Sequence, residues 1–275
     1  MKWSVYSPIL THNKHTNTDE FIRFVRDCGI SAVEIMSVEL EERSLTAFKE
    51  YYNSYDLEVT GFILFTDFVN LKESAYAAEM NRIRALLQEA SDNGIRHVMV
   101  VPNIKGVKCP EDKLAARDRM VAGMKEIVQY ADEIDITITM ENYSQHTHPY
   151  STIDEMLYLM EHIPGLKYTL DAGNFYCVKE DVLKAYDVLK KYLVHAHVKD
   201  WTADPFGYII RPEIPAIKGC EPGLGLIPLK ELLARMKQDG YRGDLLAEID
   251  VVEDVRDLTQ KDIEVFVNFL KKYSC

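Results

Sequence analysis

Eight short runs rich in Val, Ile, Leu and Thr recur along the chain, as β-strands do. They begin at Lys2 (KWSVYS), Ser31 (SAVEIM), Leu57 (LEVTGFIL) and Arg96 (RHVMVVP), then at Ile136 (ITITMEN), Leu166 (LKYTLD), Leu193 (LVHAHVKD) and Asp244 (DLLAEID). The stretches between them carry apolar residues at helical spacing. The segment 17–29 places Phe21, Phe24, Val25 and Cys28 on one face, opens on cap-type residues and stops at Gly29. A second helix is predicted over 74–94, with Gly94 as its stop, and a third follows Cys109 with Pro110 in its first turn, where proline is tolerated. SLTAFKEYYNSY, STIDEMLYLMEHIP, KEDVLKAYDVLKKY, IPLKELLARMKQDG and TQKDIEVFVNFLKKY complete a set of eight. Strands alternating with helices imply a parallel sheet with crossover connections. At 275 residues the expected fold is an α/β (β/α)8 TIM barrel, one domain over 1–275. The longest irregular segment, Trp201 to Ile227, lies between the seventh strand and its helix, and loops of that length are usually functional.

Side chains alternate along a strand. In VHAHVKD, Val194, Ala196 and Val198 share one face and suit the helical shell, so His195, His197 and Lys199 look into the barrel. Barrel interiors are normally filled with branched apolar residues, yet the neighbouring strands repeat the anomaly. Thr137, Thr139 and Glu141 alternate inward on the fifth strand, Thr169 and Asp171 on the sixth, and Leu246, Glu248 and Asp250 on the eighth. Four consecutive strands thus deliver Glu141, Asp171, His197 and Glu248 near their C-terminal ends, where barrel enzymes keep their catalytic groups. Each residue alone has an ordinary reading: a solvated rim glutamate, a satisfied core histidine, an aspartate capping a turn. Together, three converging carboxylates repel unless a cation joins them. One divalent metal at this set is the expectation, and its mostly hard, oxygen-rich character favours Mn²⁺, with Mg²⁺ or Co²⁺ as alternatives.

Charge and cysteine usage narrow the partners. With 32 Lys and Arg against 44 Asp and Glu, the formal net charge is −12, which disfavours nucleic acid and anionic membrane surfaces. The N-terminal residues lack the apolar core of a signal peptide, and no run approaches the ~18 apolar residues of a membrane span. The five cysteines are odd in number and form no CxxC pair, which fits a reducing, cytoplasmic setting. The GLG at 223–225 lacks a following GK[ST] and is no phosphate loop.

The segments ITMENY, YTLDAGN, VHAHVKD and LLAEID, in this order, resemble the metal site of the sugar isomerase/epimerase family of the xylose isomerase-like TIM-barrel superfamily. Its members include ketose 3-epimerases, hydroxypyruvate isomerases and inosose dehydratases. The resemblance implies that Glu141, Asp171, His197 and Glu248 are the metal ligands and that Glu141 and Glu248 are also the acid/base pair. It implies a carbohydrate with adjacent carbonyl and hydroxyl groups, reacting through an enediolate to an epimer or an isomer. It also implies a homo-oligomer, a dimer or tetramer. Three positions depart from the ketose 3-epimerase pattern: Asn174 replaces a histidine, Thr147 a glutamate and Ala203 an arginine. Expected substrate contacts are Asn174, Arg211 in the long loop, His146 or His148 after the fifth strand, Lys199 and Glu34. Lys199 has a second reading as a neutraliser of nearby carboxylates, Glu34 as a structural hydrogen-bonding group, and His195 as a core group. The alternatives to an isomerase are a lyase with the same ligands (an inosose dehydratase or the metal-bearing subunit of a C-glycoside deglycosidase), a phosphodiesterase and a non-catalytic sugar-binding barrel.

Overall fold

The structure, a computed structural model, describes residues 2–11 and 13–274. The eight expected strands are present. The first seven are β1 (Trp3–Tyr6), β2 (Ala32–Met36), β3 (Glu58–Thr66), β4 (His97–Pro102), β5 (Thr137–Glu141), β6 (Lys167–Asp171) and β7 (Leu193–Val198). Three more strands, β8 (Trp201–Ala203), β9 (Ile209–Arg211) and β10 (Ile214–Gly219), form a separate antiparallel sheet, and β11 (Asp244–Ala247) then completes the barrel. The closed ring runs β1-β11-β7-β6-β5-β4-β3-β2, and its pairs are parallel. Pairing of Trp3 with Leu245 shuts it, so the first and last strands meet.

The expected helices appear as α2 (Thr18–Cys28), α3 (Leu45–Asn53), α4 (Glu73–Asp92), α5 (Pro110–Glu133), α6 (Ile153–His162), α8 (Val182–Leu189), α9 (Leu229–Gln238) and α10 (Gln260–Tyr273). Two four-residue turns, α1 (Ser7–Leu10) and α7 (Asn174–Cys177), are too short to leave a periodic signal. Local chemistry sets the helix ends: the Asn17 side chain caps α2 and Gly29 ends it at φ 118°, while Thr152 and Glu155 cap α6 reciprocally. Among the described residues no helix is long and apolar enough to cross a membrane.

The segment Trp201 to Ile227, expected to be irregular, instead holds the β8–β10 sheet. Strands of three residues are too short for alternation to be read from sequence. The segment is fastened at its base by Asp200, whose carboxylate accepts the N–H groups of Trp201, Gly223, Gly225 and Ile227 at 2.8–3.0 Å. A Cβ on Gly225 would lie 2.2 Å from Asp200 Oδ1, so the GLG glycine is required by this close approach.

Apolar residues on the outer strand faces pack with the helices into one large core. Inside the barrel a second, small cluster joins Ile63, Met99 and Val101, with Tyr6, Met36 and Tyr143 against it. Apart from Leu246 on β11, the inward residues of β5, β6, β7 and β11 are polar.

Candidate functional site

The alternation of β5, β6, β7 and β11 carries Glu141, Asp171, His197 and Glu248 to one end of the barrel. Register pairs Asp171 with His197, and His197 with Leu246, two residues before Glu248. His197 Nδ1 lies 3.2 Å from Glu141 Oε2 and 3.5 Å from Glu248 Oε2. One ligand atom each from Glu141, Asp171 and His197 lies within 4.8 Å of the others. Asp171 and His197 are fully buried, whereas the glutamate side chains each keep 14 % exposure.

The Asp171 carboxylate is split in its duties. Oδ1 accepts the N–H groups of Gly173 and Asn174 at 2.9 and 2.8 Å, while Oδ2 has no well-directed hydrogen bond and faces Lys199 Nζ at 2.8 Å. The Asn142 side chain clamps the Asp171 backbone from both sides, at 3.1 Å each. Asn174 lies in this same support: its amide donates to Asn142 O at 2.9 Å and is buried, so it holds the site from behind. Lys199 Nζ also meets Glu248 Oε1 at 2.8 Å.

Tyr6 is a site neighbour that sequence reasoning passed over. Its hydroxyl stands 3.1 Å from His197 Nδ1 and 3.4 Å from Glu248 Oε2. The signal was available, because Ser4 and Tyr6 alternate inward on β1 as the polar residues of β5 to β7 do.

The charges are unevenly served. Burial works against the Lys199 ammonium, but Asp171 and Glu248 overcome it and hold its pKa well above the ordinary lysine value. Burial would raise Glu248, but Lys199 and His197 outweigh it and leave this carboxyl below its ordinary value. Asp171 goes the other way: burial pushes it up to about 7, Lys199 opposes, and Glu248 and Glu141 add to the rise. One ammonium cannot neutralise both carboxylates. Burial lowers His197, but its hydrogen bond to Glu141 and the surrounding carboxylates win and hold it up at about 9. Three carboxylates thus face one ammonium and one imidazolium, and a divalent cation would supply the missing positive charge. With Asp171 Oδ2 met only by the Lys199 ammonium and with an oxygen-rich donor set, the arrangement fits such an ion; the upward direction of Asp171 belongs to the metal-free protein.

Below this cluster lies a second polar layer. Glu34 is buried at 1 % exposure and accepts a hydrogen bond from Ser4 Oγ at 2.7 Å. This is the structural alternative for Glu34, and it places the carboxylate inside the barrel wall rather than at the mouth. Burial would raise its carboxyl, but the imidazoles of His195 and His197 hold it down at about 2. His195 is buried, lies 3.0 Å from Glu34 and packs against both His197 and His97. His97, Thr139 and Thr169 continue the layer as a hydrogen-bonded chain.

At the mouth, Arg211 sits on β9 and donates from Nε to Ser144 O at 2.9 Å and from Nη2 to Ser144 Oγ at 3.2 Å. The inserted sheet is thereby pinned to the loop after β5. In that loop His146 is exposed, while His148 is buried, stacked on Tyr143 at 4.1 Å and lowered to about 4, chiefly by burial. His148 borders a cavity of about 410 Å³ shared with Tyr143, Tyr150 and Phe65.

A closed (β/α)8 barrel with an acidic, metal-compatible C-terminal end defines a class of TIM-barrel enzymes. More particularly, residues 22–273 match the family described as xylose isomerase-like TIM barrel, and the chain belongs to that family. It is 19 % identical over 248 residues to an inosose isomerase of Bacillus velezensis, covering 86 % of this chain and 84 % of the relative. Solved structures share its fold. The IolI protein with a bound zinc atom superposes with a TM-score of 0.79 at 17 % identity over 99 % of both chains. The probable 3-DHS dehydratase AsbF of Bacillus anthracis does so with 0.74 at 13 % identity over 98 % and 99 %. A D-psicose 3-epimerase of Clostridium cellulolyticum with D-tagatose also gives 0.74, at 14 % identity over 100 % and 99 %. Isomerases, epimerases and dehydratases thus all stand among its neighbours.

Proposed function

We propose that this chain is a divalent-metal-dependent isomerase or epimerase of a ketose or a related hydroxy-carbonyl carbohydrate, an inosose included. The observation that carries the reading is the placement of Glu141 and Glu248. They alone of the four convergent residues reach solvent, and they flank His197 Nδ1 from strands separated by β6 and β7. A divalent cation, with Mn²⁺ as our first choice and Mg²⁺, Co²⁺ or Zn²⁺ as the others to test, would be held by Glu141, Asp171, His197 and Glu248 and would supply polarisation of the substrate carbonyl. One glutamate takes the proton from the carbon beside that carbonyl, leaving an enediolate, and the other returns a proton. Return to the same carbon from the opposite face gives an epimer; return to the former carbonyl carbon, with the neighbouring hydroxyl proton passing to the former carbonyl oxygen so that the hydroxyl carbon becomes the new carbonyl, gives the isomer. Lys199 holds Glu248 and Asp171 in place and is also within reach to donate to a substrate oxygen. We assign Arg211, held against the loop after β5 by Ser144, to substrate orientation; Arg211→Ala should then raise KM.

One observation favours dehydration as the second reading. The Lys199 ammonium lies 2.8 Å from Glu248, so an acid stands beside a base. Such a pair removes a carbon-bound proton and protonates a departing β-hydroxyl, releasing water. On either reading we propose one domain over 1–275, a dimer or tetramer in the cytoplasm, with no nucleic-acid or membrane partner; size-exclusion chromatography tests the assembly.

The experiment is incubation with ketoses, inososes and keto-glycosides in D₂O with Mn²⁺, followed by NMR. Deuterium entering a carbon beside the carbonyl, with formation of an epimer or isomer, supports the reading. Water loss moves it to the dehydratase. Absence of both across the panel, with metal bound, overturns it.

A further inference from the structure

The mechanism above uses the upper face of His197 and leaves its other ring nitrogen unexplained. Nδ1 points at Glu141, Glu248 and Tyr6. Nε2, on the opposite side of the ring, is buried without a hydrogen-bond partner. Two further atoms share that condition: Glu34 Oε2 and His195 Nε2. Glu34, His195 and His197 each offer a ligand atom within 4.8 Å of the other two, and all three residues are at most 3 % exposed.

Glu34 Oε2 and His197 Nε2 are buried without a hydrogen-bond partner, and buried groups of this kind are ordinarily hydrogen-bonded. The Glu34–His195 approach does not supply that partner. His195 Nε2 stands 3.0 Å from Glu34 Oε1, the oxygen that Ser4 already serves, so Glu34 Oε2 and His197 Nε2 remain without partners. The carboxylate is meanwhile oriented from behind. Ser4 Oγ donates to Oε1 and leaves Oε2 turned away from it. Room for the side chain is made by Gly61 on β3, where a Cβ would stand 2.9 Å from Glu34 Cγ and Oε2. Donors fixed by a supporting hydrogen bond and a cleared space are how metal ligands are usually held.

We infer that Glu34, His195 and His197 form a second cation site beneath the first, of the two-imidazole, one-carboxylate kind that suits zinc. Two nitrogens and one oxygen are a softer set than the three carboxylates above, so the two sites differ in ion preference. Three protein ligands leave one tetrahedral position for water. Glu34 stands on β2 and both histidines on β7, and β1 and β11 lie between these strands in the ring. A cation here ties opposite parts of the barrel together. Its route is from the other end: a cavity of about 410 Å³ at the N-terminal side of the barrel reaches His97 and His195.

The two sites share His197 through different nitrogens, and since a neutral imidazole offers one lone pair, filling both at once would release the remaining ring proton to solvent and leave a bridging imidazolate. Diffraction from crystals of the full chain soaked in zinc chloride, recorded on both sides of the zinc edge, separates them. We expect an anomalous peak bounded by Glu34, His195 and His197. It should persist in Asp171→Asn and vanish in Glu34→Gln. His195→Gln is the companion variant should Glu34→Gln fold poorly, and its zinc dissociation constant should rise by more than the ~10–100-fold that loss of a supporting contact costs. Ordinary density without anomalous signal, which is a buried water, overturns the site. A peak only among Glu141, Asp171 and His197 overturns it too while sparing the upper reading; a peak only below spares this inference and sinks the four-ligand centre.

Discussion

Two walls of one barrel interior have opposite characters. On β3 and β4 the inward residues Ile63, Met99 and Val101 pack on one another. Across the lumen, β5, β6, β7 and β11 present Thr139, Glu141, Thr169, Asp171, His195, His197 and Glu248. Both walls are built on the same parallel ladder with the same alternation, so the backbone does not distinguish them. The apolar wall gains by leaving water. The polar wall loses by it, since buried charge is costly unless paired. The first stabilises by burial alone, whereas the second stays folded through its internal pairs, Lys199 with Asp171 and Glu248 and the Thr139–Thr169 hydrogen bond.

The comparison breaks most visibly at the two glutamates. Glu141→Gln and Glu248→Gln should each lower turnover by about 10²–10⁴-fold with the fold retained by circular dichroism. The variant at the proton-abstracting position should also lose solvent deuterium exchange, and the other should keep it. Near-normal turnover of both with metal bound would transfer the base role to His146 or His148.

Next in size is Lys199→Met, which leaves the Asp171 and Glu248 charges without their buried partner. Urea unfolding of metal-free protein should show a loss of about 3–5 kcal/mol, and added divalent metal should restore much of it. A metal-free variant as stable as the parent would remove Lys199 as the internal counter-ion.

A third test is pH. Asp171 at about 7 and His197 at about 9 both stand above their unfolded values of about 3.9 and 6.5. Groups raised in the folded state stabilise below the unfolded pKa and lose that contribution as pH climbs through the folded one. Chelated protein should therefore melt at lower temperature as pH rises from about 6 to 9. Metal-loaded protein should resist this trend, because ligand deprotonation favours binding. A chelated sample that gains stability over the same range would show these directions to be wrong.

The smallest effect belongs to the apolar wall. Ile63→Val removes one buried methylene and should cost about 0.5–1.5 kcal/mol in stability, with turnover per folded molecule unchanged. A selective loss of turnover there would mean that the two walls are not separable.

Most of the frame was legible because each barrel strand carries its own run of branched residues between helices with clear caps and stops. The convergence of Glu141, Asp171, His197 and Glu248 was legible from alternation alone, since a parallel barrel brings strand ends together whatever the loops do. Depth was not. Alternation says that Glu34 faces inward but not how far below the mouth it sits, and Glu34 proved to be bonded to Ser4 within the wall. Asn174 was placed by its offset from Asp171, yet its amide turns to the Asn142 carbonyl because α7 begins there. Tyr6 escaped because β1 shows no charged anomaly to attract notice. The β8–β10 sheet escaped because its pairing is set by Asp200 and the glycine turn, which act across the loop rather than along it.

The split carboxylate of Asp171 bears on ion discrimination. Its Oδ1 is anchored by two backbone N–H groups, so the group cannot swing to offer both oxygens at once. A cation there receives a single oxygen at a fixed angle. Calcium, which gathers ~6–8 oxygens and often grips a carboxylate by both, is poorly served by such a donor. Smaller ions that accept one oxygen per carboxylate would lose nothing, so on the proposed metal reading the turn at Gly173 and Asn174 would act as a size filter written into the backbone.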